Sequence, residues 1–287
     1  MTPTIGCVLL TMGNRPVELA AALESLLAQR DVDLDLVVVG NGWTPVDLPD
    51  RVRTLALPEN VGIPAGRNAG VPLVTGELVF FLDDDARLVS DRTLAQVADF
   101  LHRHPDIGLL QPRVVDTDTG TTVDRWVPRL RTGDPSRSSD ACSVWEGALA
   151  MRRTAFQAVG GWTDAFFYFH EGIDLAWRVW DAGYRVRYAG DIVVHHPVVP
   201  QSRRATFQRT NVRNRIFVAR RLLPVPLAVC YLTVWALATA LRLRRWHDVR
   251  QALAGIRAGF TEPCGGRRPI GWRTAWRMTR AGRPPVL

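Results

Sequence analysis

Apolar and polar positions fall into two alternating rhythms along the first two hundred residues. Ile5–Leu10, Leu34–Val39 and Leu78–Leu82 are short unbroken apolar runs, the form of strands buried on both faces. Between them, Val17–Gln29 carries Leu19, Leu23, Leu26 and Leu27 at helical spacing, and Asp91–His104 sets Leu94, Val97, Ala98 and Leu101 on one helical face. Ile107–Leu110, Tyr184–Tyr188 and Ile192–Val194 predict further strands. Ala150–Val159 and Glu171–Ala182 predict helices, and the polar stretch Asp116–Asp140 a long loop or hairpin. Strands alternating with helices predict an α/β fold with a mostly parallel sheet flanked by helices. Ligands of such sheets bind beyond the carboxyl ends of the strands.

After Pro200 the pattern changes to Arg-rich helical segments. The chain is therefore read as an α/β domain, residues 1–200, followed by a C-terminal helical extension, residues 201–287. Leu222–Leu241 is free of charge and long enough to span a bilayer. Pro224 and Pro226 break its start, and Arg220, Arg221, Arg242, Arg244 and Arg245 flank it. Arginines continue to the last residues and argue against translocation, so both flanks are expected on the cytosolic side, with the segment lying in the plane or re-entrant. Trp246, Val249, Leu253, Ile256 and Phe260 recur at helical spacing, as do Trp272 and Trp276. Trp beside Arg suits the headgroup region.

Composition sharpens this picture. Hydrophobic residues make up 47% and charged residues 22% of 287, enough for a packed core and against wholesale disorder. The net charge is +8 and the chain has no lysine, so every basic residue other than histidine is arginine, a good partner for phosphates and anionic headgroups. The basic excess gathers after Arg203. Interleaved Leu, Val and Trp, with no recognition-helix or zinc pattern, point it to an anionic membrane surface and not to nucleic acid. Cys7, Cys142, Cys230 and Cys264 are far apart, as free thiols of a reducing compartment would be. With no leader pattern at the amino end, the expected location is the cytoplasmic face of the cell membrane.

The densest chemical signal is Asp83-Asp84-Asp85, directly after the apolar run Leu78–Leu82. Three adjacent carboxylates repel one another unless a cation neutralises them, and hard oxygen ligands suit Mg²⁺ or Mn²⁺. A buried strand would place them on the ligand-binding edge of the sheet.

Over residues 4–200 the chain resembles family 2 glycosyltransferases of the GT-A, Rossmann-like fold. Asn60-Val61-Gly62-Ile63-Pro64-Ala65-Gly66-Arg67-Asn68-Ala69-Gly70 looks like that family's N-x-G-x-x-x-x-R-N-x-G segment, followed at the expected distance by the D-x-D of Asp83 and Asp85. Trp145-Glu146-Gly147-Ala148 with Arg152-Arg153 looks like its acceptor-side loop. Gly160-Gly161-Trp162 and Phe166-Phe167 precede an acidic motif at Glu171. The resemblance implies an inverting, metal-dependent transfer from a nucleotide-sugar donor, of hexosyl or deoxyhexosyl type, to a hydroxyl of a glycan or lipid-linked, cell-envelope acceptor. It implies Asp85 as metal ligand, Asp83 on the metal or the ribose, Asp84 nearby, and His195 of the tandem His195-His196 completing the shell of Mn²⁺ or Mg²⁺. Thr11, Asn14, Arg15, Asn41 and Arg67 fall on the donor side, with Asn68 bracing its loop, and Trp145, Glu146 and Gly147 on the acceptor side.

Two motifs depart from the family pattern. In Gly40-Asn41-Gly42-Trp43-Thr44-Pro45, Gly40 stands for the usual aspartate. In His170-Glu171-Gly172-Ile173-Asp174, Gly172 stands where the base is expected. An inverting transfer needs a carboxylate to take the acceptor's proton, which leaves Glu171 and Asp174. Asp174, four residues before Arg178, reads as a structural ion pair, so Glu171 is the expected base. Two other readings are a sugar-1-phosphate nucleotidyltransferase, for which Gly13-Asn14-Arg15 is a weak phosphate loop, and a non-catalytic nucleotide-sugar-binding membrane protein, favoured by the missing acid at Gly172.

Overall fold

The computed structural model describes residues 2–198 and 207–287. A central sheet runs in the order β3 (Arg53–Leu57), β2 (Asp33–Asn41), β1 (Thr4–Thr11), β4 (Leu78–Asp83), β8 (Ala148–Arg152), β6 (Ile107–Asp116), β9 (Arg185–His196) and β5 (Arg87–Leu88), with the short β7 (Ser139–Asp140) also paired to β9. The first four strands of this order are parallel. β8 runs antiparallel to both β4 and β6, and β6 and β9 are again parallel. The sheet is therefore mostly parallel, as strand–helix alternation predicted: six of its nine strands run in one direction, and β5, β7 and β8 oppose them.

The unbroken apolar runs are explained by burial on both faces. In β4, Leu78, Phe80 and Leu82 enter the core under α1 (Pro16–Leu27) and α3 (Thr93–Arg103). Val79 and Phe81 enter the core on the other side, with α4 (Arg153–Val159) and α5 (Glu171–Asp181). On that side too lies α2 (Ile63–Gly70), pressed so closely on β1 that a Cβ at Gly66 would strike Leu10 and one at Gly70 would strike Val8. Three local readings change. Ala150–Arg152 is strand, because ladders with β4 and β6 on both sides override the helix preference of Ala and Met. The two strands expected over 184–194 are one, since the break at Gly190-Asp191 is a register shift against Pro112-Arg113. β3 carries too little apolar signal to be read, its residues being mostly half-buried or exposed.

The expected domain boundary at 200 lies outside the described residues. Beyond it come α6 (Phe207–Leu222), α7 (Val225–Ala240), α8 (Trp246–Thr261) and α9 (Trp272–Arg280). Phe217, Val218, Leu222, Tyr231, Ile270 and Met278 join the same core cluster as Phe81 and Trp162, so α6, α7 and α9 share the α/β domain's core, while Ala252 of α8 packs on Val212 and Ile216 of α6. α7 has 16 residues, and among the described residues no helix is long and apolar enough to cross a membrane.

Charge ties α5 to α6 within this core. Asp174 is fully buried. It accepts hydrogen bonds from Arg178 Nε (2.8 Å) and Nη2 (2.6 Å), from Arg221 Nε (3.0 Å) and from Thr163 Oγ1 (2.7 Å). Arg178 Nη1 donates to the carbonyls of Val159 and Gly161, and Arg221 Nη1 to that of Cys264. Breaking a buried pair by neutralising one partner leaves uncompensated charge. Asp174→Asn should therefore lose about 3–5 kcal/mol of stability by urea unfolding. A loss below about 1 kcal/mol would remove the clamp from this role.

Candidate active site

Four parallel strands end at one edge of the sheet, in Thr11, Asn41, Asp83 and His196, and the chain enters the antiparallel β8 there through Trp145, Glu146 and Gly147. Asp83 N donates to the carbonyl of Gly147 at 2.8 Å, locking the acidic turn to that loop. Together they line a cavity of about 390 Å³ that also takes in Asn14, Arg15, Arg67, Asp84, Asp85 and Glu171. Of the residues expected to touch donor, metal or acceptor, only Asp174 and His195 lie outside this lining.

The histidine of the site is His196 and not His195. Successive side chains of a strand face opposite ways. Ile192, Val194 and His196 share the buried face, while His195 sits on the other, opposite Arg87 of β5. Burial and the charge of Arg87 hold the His195 pKa down. The His196 ring stands edge-on to Trp145 (4.8 Å) and Trp126 (5.7 Å), with Nε2 3.0 Å from Asp85 Oδ1. Burial disfavours the imidazolium, yet the hydrogen bond and charge of Asp85, with Asp83, outweigh it and raise the His196 pKa.

Asp83, Asp85 and His196 each offer a ligand atom within 4.8 Å of the others, and two carboxylates with one imidazole form a donor set suited to Mn²⁺ or Mg²⁺. Asp85 also pairs with Arg15. Asp84 turns instead to Thr11, whose Oγ1 donates to it at 2.6 Å. Burial, reinforced by the neighbouring Asp85 and Asp83, lifts the Asp84 pKa to about 6 against that hydrogen bond. Arg67 is 1% exposed, donates from Nη2 to Asp83 at 2.7 Å, and lies over the Trp162 ring at 5.0 Å. It orients Asp83 and brings fixed positive charge to the middle of the cavity.

The loops that follow β2 and β3 are braced. Asn41 Nδ2 donates to Asn60 Oδ1, and its Oδ1 accepts from Val61 N at 2.9 Å. Asn68 holds Trp162 through both its backbone N–H and its carbonyl. Gly40 has a steric reason: a Cβ there would strike the carbonyl oxygen of Trp43, so an aspartate cannot occupy this turn.

On the far wall, Phe167, Tyr168 and Phe169 line the cavity, and Phe167, Phe169 and His170 all have positive φ. Such backbone costs about 1–3 kcal/mol per residue and persists only when its surroundings enforce it. Asn214 of α6 supplies that, its Nδ2 lying within hydrogen-bond distance of the carbonyls of Phe166, Tyr168 and Phe169. Glu171 follows at the start of α5, 2% exposed, with Oε2 lacking a hydrogen-bond partner among the described residues. Burial first, and then the charge of Glu146, raise its pKa well above the ordinary value. Asp174 is corrected: with its oxygens held by Arg178, Arg221 and Thr163, it is a structural anion outside the cavity. Arg125 and Trp126, within the loop expected over 116–140, carried no sequence signal as cavity residues.

Residues 7–160, more than half of the chain, match the family model described as Glycosyl transferase family 2. The chain belongs to glycosyltransferase family 2. It is 30% identical over 181 residues to the pre-mycofactocin glycosyltransferase of Mycobacterium tuberculosis, covering 57% of this chain and 37% of that protein. An uncharacterised glycosyltransferase of Nostoc is 25% identical over 198 residues, covering 61% and 56%. The chain thus spans about a third to just over a half of the length of these relatives. In fold it is similar to a mannosyltransferase from Pyrobaculum calidifontis in complex with GDP-Man and Mn²⁺ (TM-score 0.59, 17% identity, 100% of this chain and 86% of that one). It is also similar to S. aureus TarS 1-349 in complex with UDP (TM-score 0.60, 14% identity, 89% and 80%).

His170 gives this wall a pH signature. Burial, then the charge of Arg215, lower its pKa from 6.5 to about 3, against a hydrogen bond with Asn211. The folded chain keeps it neutral where the unfolded chain protonates it. Its contribution to stability is therefore full above about pH 6.5 and drains as pH falls towards 3. His170→Asn, which tolerates positive φ, should flatten the decline in urea midpoint across that window. An unchanged slope would show that His170 takes up its proton equally in both states.

Proposed function

We propose that the chain is a metal-dependent inverting glycosyltransferase, moving a sugar from a nucleotide-sugar donor to a hydroxyl acceptor. The observation that carries this is the meeting, in one cavity of a family 2 chain, of the Asp83–Asp85–His196 donor set with the buried carboxylates of Glu146 and Glu171. The first supplies a place for a diphosphate and its cation, and the second a place for the acceptor's proton. Support for the donor class comes from the bound GDP-Man with Mn²⁺, and UDP, in the two structures of similar fold.

Asp83, Asp85 and His196 would hold the ion, which when bound neutralises the charge of the departing diphosphate. Arg67 holds Asp83 in place. Arg15, half-exposed at the rim beside Asp84 and Asp85, is positioned to meet a phosphate. Trp145 and Trp126 keep His196 oriented and exclude water from its ring. Asp85→Asn removes a charged ligand at constant size. UDP or GDP should then bind with an affinity that no longer responds to Mn²⁺, as read by calorimetry. An Mn²⁺ response equal to that of the native chain would take Asp85 out of the metal shell.

The acceptor is assigned to the membrane, as a lipid-linked or cell-envelope glycan. α8 is packed in an unusual sense: Ala252, Gly255, Ala258 and Gly259 face inwards, Gly255 and Gly259 against α6, while Trp246, Leu253, Ile256 and Phe260 are exposed. Leu237 of α7, Leu241 just after it, and Trp272 and Trp276 of α9 are exposed as well, among Arg242, Arg244, Arg245, Arg273 and Arg280. Large apolar side chains between arginines fit an anionic lipid surface at the cytoplasmic face. The chain should sediment with vesicles containing phosphatidylserine, about 0.5 M salt should reduce binding only in part, and Trp246→Ser with Phe260→Ser should reduce it further. Native chain left wholly in the supernatant would refute the attachment.

A further inference from the structure

Gly172 leaves a gap in the first turn of α5, and another side chain fills it. Glu146 reaches over from the loop before β8, and its Oε1 accepts a hydrogen bond from Gly172 N at 2.9 Å. A Cβ built on Gly172 would strike that same Oε1, and would meet the carbonyl oxygen of Val144 at 2.5 Å. Residue 172 can therefore carry no side chain while Glu146 keeps its position. The carboxylate that the helix lacks at this point is delivered to the same place by a different element.

The other acids of the cavity are already engaged. Asp83 is held by Arg67, Asp84 by Thr11, and Asp85 by Arg15 and His196. Glu171 and Glu146 remain. Both line the cavity, Glu171 at the start of α5 and Glu146 beside Trp145 and Gly147. Arg67 bears on both carboxylates with its positive charge. Of the two, Glu146 is the one that occupies the place Gly172 leaves, and its hydrogen bond from Gly172 N holds it there in a fixed orientation.

We propose that Glu146, lodged over Gly172, is the catalytic base that takes the proton from the acceptor hydroxyl. The assignment rests on the glycosyl-transfer reading above. The acceptor O–H bond breaks and its proton passes to the Glu146 carboxylate. The acceptor oxygen bonds to the anomeric carbon, and the bond from that carbon to the diphosphate oxygen breaks, the nucleoside diphosphate leaving with the electron pair. Glu146 returns the proton to solvent at the end of the cycle.

The test uses the full chain with Mn²⁺ and a panel of UDP-, GDP- and dTDP-sugars, water serving as acceptor. Release of nucleoside diphosphate is followed, and binding of free UDP or GDP is measured alongside. Glu146→Gln should bind the diphosphate within about twofold of the native chain and lose turnover by roughly a hundredfold or more. Glu171→Gln should lose less. In Glu146→Ala, added formate, a small carboxylate able to enter the vacated space, should restore turnover at least about tenfold. Glu146→Gln that binds normally and keeps turnover within about threefold of native overturns the assignment, and so does a loss in Glu146→Ala that formate leaves untouched. A native chain that binds none of the nucleoside diphosphates brings down the glycosyl-transfer reading itself, a failure distinguishable from that of Glu146.

Discussion

The position of α5 depends on one buried anion. Asp174 has no contact with solvent, so its charge is sustained by the two guanidinium groups and the hydroxyl around it. Each arginine carries the constraint onward, Arg178 to the end of α4 through Val159 and Gly161, and Arg221 to the segment before α9 through Cys264. Two consequences follow. The first turn of α5, with Glu171 and Gly172, is fixed relative to the loop that carries Glu146. α6 is also fixed at the right height for Asn214 to restrain the backbone of Phe167, Phe169 and His170. The C-terminal helices thus act as the outer frame of the cavity.

The cavity has two electrostatic halves. Around Asp83–Asp85 the charges are dense and mutually satisfied, with Arg15, Arg67 and His196 against three aspartates. Around Glu171 the carboxylates meet mainly burial and each other, and their pKa values rise. In the proposed transfer, one half would take the cation and the diphosphate, and the other the proton.

What was legible in the sequence was local. The apolar runs gave β1, β2 and β4, because burial on both faces leaves a continuous signal, and the Asp triplet announced itself at the end of such a run. The spacing of Asp174 and Arg178 already suggested an ion pair, but Arg221, 47 residues beyond Asp174, could not be seen as its second partner. His195 and His196 are indistinguishable until the register of β9 is known, since one residue reverses the face. Gly172 read as a missing acid because the filling group, Glu146, comes from a distant loop. Gly40 read as a lost contact because the carbonyl of Trp43 that crowds it is a feature of the folded turn.

The separation of Asp174 from Arg221 along the chain has a consequence for synthesis. Polypeptide emerges amino end first and folds in units as it does so. β1, β2 and β4, with the aspartates they carry, are complete long before Arg221 and Asn214 have been made. The wall of Phe167, Tyr168, Phe169 and Glu171 is assembled last, when α6 arrives to neutralise Asp174 and restrain the strained turn ahead of α5. A growing chain therefore presents an unfinished pocket until its later helices dock, and translation order itself delays the appearance of a working site.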